Sequence, residues 1–247
     1  MKLDLTQIPT SPPDDIDKAR AKKQAKAYGS VIGDLVQQFA AVKTHSLLII
    51  FQGMDASGKD GAVRAAFERS TPANIDVHSW GKPTDLEMSH DFLWRLNQKT
   101  PAKGNIAIWN RSHYEDVLIQ RVHNWVDENT IDNRFDAINA FERNLMEDNN
   151  TIILKFLLHT SFDEQKEQLQ ERIDDPTKHY KHNPNDWKER EHWDEYMDAY
   201  NDVLARSDHP WIIIPTDKRW YRDYLVSKSI MDALEGLDMG WPALKEE

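Results

Sequence analysis

The chain has no cysteine among its 247 residues. That excludes disulfide bonds and thiolate metal sites, and a cytoplasmic location is the expectation. No apolar run approaches the roughly 20 residues a membrane-spanning helix needs. The N-terminus lacks the basic, apolar and small-residue pattern of a signal peptide, so no membrane is expected as a partner. Positive charge is scarce: 31 Lys and Arg against 42 Asp and Glu leave a formal net charge of −11. A broad nucleic-acid surface needs clustered cations, so nucleic acid is not an expected partner either. Internal repeats, low-complexity segments and interdomain linkers are all absent. No pair of histidines, His78, His90, His113 and His123 included, has a convincing metal spacing.

What cations there are gather in two places, Lys18–Lys26 and Arg172–Arg190. A chain of this net charge that binds a polyanion has to concentrate its cations in this way. Residues 1–13, with Pro9, Pro12 and Pro13, read as an extended arm, followed by a helical pattern from Asp14 to about Val42. Five strands are expected at Ser46–Gln52, Ile75–Trp80, Asn105–Asn110, Thr151–Leu158 and Trp211–Pro215. Between them lie helical stretches at Lys59–Arg69, Asp85–Gln98, Arg111–Val122 with Asp132–Asp148, and Ser161–Ile173 with Asp186–Ala205. A last helix runs from about Arg219 to Glu235. Continuously apolar strands alternating with helices predict a parallel sheet covered on both faces. In such sheets ligands sit at the carboxyl ends of the strands.

The sharpest signal lies after the first strand. SLLIIFQGMDASGKDG, Ser46–Gly61, is an apolar run that stops at a G-x-x-x-x-G-K loop opening onto a helix. Glycines let backbone N–H groups approach phosphate oxygens, the helix N-terminus adds a positive dipole, and Lys59 reaches the outer phosphates. The expected phosphate-binding residues are Gly53, Ala56, Ser57, Gly58, Lys59, Asp60 and Gly61. Asp60 stands where a Ser or Thr normally holds Mg²⁺, and a second acid, Asp55, lies inside the loop.

Further chemistry follows the other strands. Asn110–Asp116, NRSHYED, supplies Arg111, whose planar and permanently charged fork suits a transferring phosphoryl group. In a helix starting there, Glu115 would lie one turn beyond Arg111 and face the same cleft. Lys82, Asp91 and Arg95, in GKPTDLEMSHDFLWR, are candidates for holding an acceptor. The segment Arg172–Arg190 is broken by two prolines and reads as a mobile cationic loop, with Arg172, Lys178 and Lys181 placed to close over phosphates and exclude water. The stripe Trp187, Trp193, Tyr196 and Tyr200 has helical spacing and reads as core packing. Lys18, Arg20, Lys22, Lys23 and Lys26 form either a solvated helix face or a path for a long anionic substrate.

Together these motifs resemble the polyphosphate kinase 2 family from about Ala27 to Leu234. The resemblance is carried by GMDASGKDG at Gly53–Gly61, KPTDLEMSHDFLWR at Lys82–Arg95 and the P-x-x-G-x-I turn at Pro101–Ile106. It continues in NRSHYEDVL at Asn110–Leu118, the block Asp175–Tyr200, and PWIIIPTDKRWYR at Pro210–Arg222. The family pattern has an Asp within the loop and needs no Ser or Thr after the lysine, which accounts for Asp55 and Asp60. Many members carry D-R-S-x-Y-N-R where this chain has Asn110 to Asp116; Asn110 and Glu115 are similar to the third class, whose acceptors are AMP and ADP.

The resemblance implies an α/β, three-layer P-loop kinase fold with a parallel five-stranded sheet, helices on both faces and a helical lid. One domain would span residues 1–247, with an arm and helix over 1–45 and the lid over 172–192. It implies Mg²⁺-dependent, reversible phosphoryl transfer between inorganic polyphosphate and adenine nucleotides, with guanine as the alternative base and Mn²⁺ as the alternative ion. Asp55, Lys59 and Arg111 would be catalytic, and Arg172, Lys178 and Lys181 would cover the donor. Lys82, Asp91, Arg95, Asn110 and Glu115 would hold the acceptor nucleotide. Asp55 would hold the metal, and Glu115 would either bind a second ion or select the acceptor. A homo-oligomer, tetramer or dimer, is implied as well. The rival readings are an ATP-dependent nucleoside or nucleotide kinase and a non-catalytic phosphate-binding regulator.

Overall fold

Five strands, β1 (Ser46–Gln52), β2 (Ile75–Ser79), β3 (Ile106–Asn110), β4 (Thr151–His159) and β5 (Trp211–Pro215), pair in the order β2-β3-β1-β4-β5. All pairings are parallel. The computed structural model describes residues 4–244. Every residue of β1 is buried, as expected for a central parallel strand covered on both faces.

The two faces of β1 divide the core. Leu47, Ile49 and Phe51 pack with Ile32, Val36 and Phe39 of α1 (Lys18–Val42) and with Ala62 and Ala66 of α2 (Lys59–Phe67). Leu48 and Ile50 face the other way with Trp109 and Ile153. The short helices α3 (Asp85–Met88), α4 (Trp94–Asn97) and α5 (Ile119–Val122) follow β2 and β3, and α6 (Glu128–Asn149) brings Phe141 and Leu145 against that second face. After β4 come α7 (Phe162–Asp174), α8 (Pro184–Glu189) and α9 (Trp193–Arg206), and α10 (Arg219–Glu235) follows β5. Helix α10 closes the first face with Val226 and Ile230. No helix among the described residues is long and apolar enough to cross a membrane.

The strand expectations hold to within a residue at each end, whereas several helical ones are corrected by local polar chemistry. The N-terminal arm is not extended throughout. Leu5–Gln7 forms a single 3₁₀ turn, with Leu5 buried and its N–H donated to Asn201 Oδ1 at 2.9 Å. The arm's first three residues lie outside the described ones. Helix α1 starts at Lys18 instead of Asp14, because Asp17 accepts from the Arg20 N–H as its N-cap.

The expected helix over 85–98 is two short ones, since Asp91 Oδ1 accepts from the Leu93 N–H and turns the chain between them. The stretch from Arg111 does not start a helix either. Arg111 has φ +65° and its N–H bonds the Phe51 carbonyl; Ser112 then caps a 3₁₀ turn over His113–Val117. The prolines at 176 and 184 do not break the cationic segment into a loop. Each occupies the first turn of a helix, where its missing N–H costs nothing, giving a 3₁₀ turn at Pro176–Lys181 and α8.

Candidate active site

The loop between β1 and α2 owes its open shape to its backbone. Gly53 has φ +144° and Gly58 φ +94°. A Cβ on Gly58 would lie 2.1 Å from Arg222 Nη1, so glycine is required there both for its conformation and for the close approach of that guanidinium. No side chain caps α2, so its N-terminal N–H groups and the positive end of its dipole face the loop. Lys59, only 9% exposed, turns its ammonium onto the carbonyls of Gly53 (2.8 Å) and Met54 (3.1 Å). Burial pulls its pKa down to about 8 against the raising effect of Asp55.

Asp55 meets Arg111 across the loop in an ion pair. Burial alone would raise the Asp55 carboxyl, but the charges of Arg111, Lys59 and Arg172 outweigh it and keep the group below the ordinary carboxylate range. Arg111 is held strongly in its charged form by Glu115 first, against the cost of burial, and then by Asp55. Arg111 and Glu115 therefore share one site as expected, though not through helical spacing. The left-handed turn at Arg111 and the 3₁₀ turn after it bring them together. Gln52 Nε2 orients Glu115 by donating to Oε1 at 2.9 Å.

Asp60, in the first turn of α2, accepts from Asn110 Nδ2 (2.6 Å) and from Lys181 Nζ (2.7 Å). It thereby joins the phosphate loop to the end of β3 and to the 172–192 segment. All three cations expected over the donor are matched by carboxylates: Arg172 with Asp186 (2.6 Å), Lys178 with Glu171 (2.6 Å) and Lys181 with Asp60. The segment is anchored at its far end by Arg190, which donates to the Phe162 carbonyl (2.5 Å) and Gln165 Oε1 (3.0 Å). Gln165 in turn donates to the Asp55 carbonyl at 3.1 Å.

Asp55, Lys59, Asp60, Asn110, Arg111, Arg172 and Lys181 line one open cleft of about 800 Å³, whereas Gly53, Ser57 and Glu115 stand behind its walls. Lys82, Asp91 and Arg95 do not line it. Lys82 and Asp91 are exposed. Arg95 braces the turn after β2, donating to the Gly81 carbonyl at 3.0 Å with its guanidinium 5.3 Å from the Trp80 ring centre. Sequence reasoning missed Arg222, 5% exposed, whose guanidinium lies across Gly58 and Gly61. It also took Tyr200 for core alone. Tyr200 is buried, and its hydroxyl lies near the Gly53 backbone and the charges of Glu115, Asp55 and Arg111. Helical periodicity shows that a side chain points inward and cannot show that it ends beneath a loop.

A parallel sheet with its phosphate loop after the central strand, and with cations arriving from the ends of neighbouring strands, defines a P-loop phosphotransferase. The family model for Polyphosphate kinase 2 matches residues 15–240, and the chain belongs to the polyphosphate kinase 2 family. It is 41% identical over 238 residues to the AMP/ADP-polyphosphate phosphotransferase of Meiothermus ruber, covering 93% of this chain and 89% of that one. With the ADP-polyphosphate phosphotransferase of Rhodopseudomonas palustris the identity is 37% over 257 residues, covering 98% and 89%. The crystal structure of polyphosphate kinase 2 from Arthrobacter aurescens TC1 superposes with a TM-score of 0.95 at 37% identity, over 99% of this chain and 89% of that one.

Proposed function

We propose that the protein transfers phosphoryl groups between inorganic polyphosphate and the nucleotides AMP and ADP, reversibly and with a divalent cation. The observation that carries this reading is the convergence of Lys59, Arg111 and the cationic segment Arg172–Lys181 on the N-terminus of α2 in a single cleft. The names of the relatives supply the substrate class.

In the forward direction an ionised oxygen of the nucleotide's terminal phosphate attacks the end phosphorus of the chain. A new P–O bond forms, the anhydride bond to the next phosphate breaks, and the chain leaves one phosphate shorter. The attacking oxygen carries no proton at neutral pH, so no strong general base is needed. The protein's contribution is positioning and electrostatics. Lys59 and the loop amides neutralise the donor oxygens, and Arg111, steadied by Asp55 and Glu115, clamps the group in transit. Arg172, Lys178 and Lys181 exchange their carboxylate partners for phosphate as the lid closes over the chain. Asn110 and Glu115 lie on the acceptor side, with Lys82, Asp91 and Arg95 reached only by a larger acceptor or a moved segment.

Among the described residues no cluster of three His, Asp or Glu side chains is fit to hold a metal alone. Mg²⁺ takes one or two carboxylates and completes its shell with phosphate oxygens and water. Asp55, kept ionised, and Glu115, beside the buried and unpaired Gln52 Oε1, are the groups that would hold it. The ion when bound would neutralise charge on the phosphates. Self-association is part of the reading, supported by exposed Val77 on edge strand β2 and by exposed Leu86 and Met88 on α3.

Purified protein given long-chain polyphosphate, Mg²⁺ and either AMP or ADP should form ADP or ATP. Turnover only with ATP and a nucleoside, and none with polyphosphate, would overturn the assignment.

A further inference from the structure

A second groove, of about 1180 Å³, runs beside the active cleft between α1, the start of α7 and the start of α10. The two share Ala65, Glu68, Glu171, Arg219 and Asp223 on their walls, so one opens into the other. Lys18, Lys22, Lys23 and Lys26 of α1 line the groove, joined by Lys218 and Arg69. Lys18, Lys22 and Lys26 fall at intervals of four, which stacks them along one helix face over ~12 Å.

Counted by formal charge the groove is nearly balanced, with Glu68, Glu164, Glu167, Glu171, Asp217 and Asp223 also on its walls. Counted by available charge it is not. Glu171 is held by Lys178 (2.6 Å) and Arg219 (2.5 Å), and Asp223 by Arg222 (2.6 Å). Asp217 accepts from Thr10 Oγ1 (2.5 Å) and the Ser161 N–H (2.8 Å), and Glu164 from Gln168 (2.7 Å). Two of the six carboxylates, Glu171 and Asp223, are thus neutralised by cations, and two more are held in place by neutral donors, which leaves the unpaired cations in excess. The ion pairs found among the described residues include neither the four α1 lysines nor Lys218. Arg219 stands at the junction, donating to Gln168 and Glu171, with both spaces in reach.

Unpaired ammonium groups in a row, leading away from a site that takes one end of a polyanion, are what a long chain needs beyond its reacting phosphate. We infer that this groove is an extension of the donor site, in which the α1 lysine row carries the phosphates of a long polyphosphate past Arg219, away from the cleft. The inference rests on the polyphosphate reading above. Because the row lies outside the cleft, it acts on chain length and leaves the chemistry alone. Short donors would end before reaching it.

The test is the variant Lys18→Gln/Lys22→Gln/Lys26→Gln, read with long-chain polyphosphate and with tripolyphosphate. The Michaelis constant for the long chain should rise by about tenfold and become less sensitive to salt, as expected when cation–phosphate contacts are removed. The constants for tripolyphosphate and nucleotide, and the turnover number, should stay as in the wild type. Arginine at the three positions should restore long-chain binding. Lys99→Gln/Lys103→Gln, at residues that line neither the cleft nor the groove, controls for net charge and should change nothing. An equal loss for both donors, or no loss for the long one, would overturn the inference while leaving the activity in place. Wild-type protein that neither binds nor uses polyphosphate would instead overturn the activity assigned above.

Discussion

Lys59 is nearly buried, its ammonium resting on two carbonyls of its own loop, and an arriving phosphate must draw it away from them. A lysine with its pKa lowered to about 8 is charged below that pH and neutral above it. An anionic substrate favours the charged form and so raises the pKa in the complex. In the free enzyme, therefore, kcat/KM should be level below pH 8 and fall above it. The corresponding break in kcat should lie at higher pH. A pH–rate series over that range checks both; coincident breaks would mean that phosphate does not meet this ammonium. Lys59→Ala should lower kcat by about a hundredfold or more, the range for losing a transition-state charge contact. At this scale the sequence was most legible. Lys59, Asp55 and Arg111 were all singled out by residue type and position, and all three meet in the cleft. Arg222 was not, because nothing in the spacing of a C-terminal helix announces that its guanidinium covers glycines more than 160 residues earlier in the chain.

The 172–192 segment is an element whose cations are occupied by neighbouring carboxylates in the structure. Lys181 bridges to Asp60 and Arg172 to Asp186, so a polyphosphate bound as proposed would have to compete for both. In the proposed reading that exchange would set donor affinity and leave the acceptor untouched. Lys178→Ala/Lys181→Ala should raise the Michaelis constant for polyphosphate several-fold more than for AMP or ADP. Initial rates with each substrate varied in turn measure this; equal effects on both would exclude the lid role. The element shows how local patterning misleads. Two prolines in a polar stretch suggested a loop, yet each sits where a helix begins. The turn at Arg111 shows the converse: a stretch that reads as a helix is bent by a left-handed residue whose N–H is claimed by the Phe51 carbonyl of β1. Short-range pattern carries no information about a partner sixty residues away.

At the scale of the whole molecule, one buried polar network ties the site to the core. Glu142 of α6 accepts from His113 Nε2 (3.1 Å), from the Tyr114 hydroxyl (3.0 Å) and from Lys155 Nζ of β4 (2.6 Å). Lys155 also donates to the Tyr114 hydroxyl at 2.7 Å. Burial keeps the His113 ring neutral, while Lys155 and His113 hold Glu142 ionised against the cost of its own burial. His113 and Tyr114 follow Arg111 by two and three residues, so this network seats the turn that aims the guanidinium. Glu142→Gln leaves the Lys155 ammonium without its counter-charge in the interior. It should destabilise the protein by about 3–5 kcal/mol, the usual cost of breaking a buried ion pair. Denaturant titration measures that loss, and a change under 1 kcal/mol (about a fivefold change in the folding equilibrium) would show that the pair is not held as described.

The sequence by itself determined the class of fold, the phosphate loop and the identity of its lysine, because these depend on strand periodicity and on residues close together in the chain. It also located both cation clusters. Tertiary structure alone decided which of those cations are free and which are paired. Asp60 reaches Lys181 across 121 residues, Tyr200 sits beneath Gly53, and Arg222 crosses Gly58. It alone showed, too, that the α1 lysines border a groove continuous with the cleft. Charge is written in the sequence, but its availability depends on what each group meets when distant segments are folded against one another.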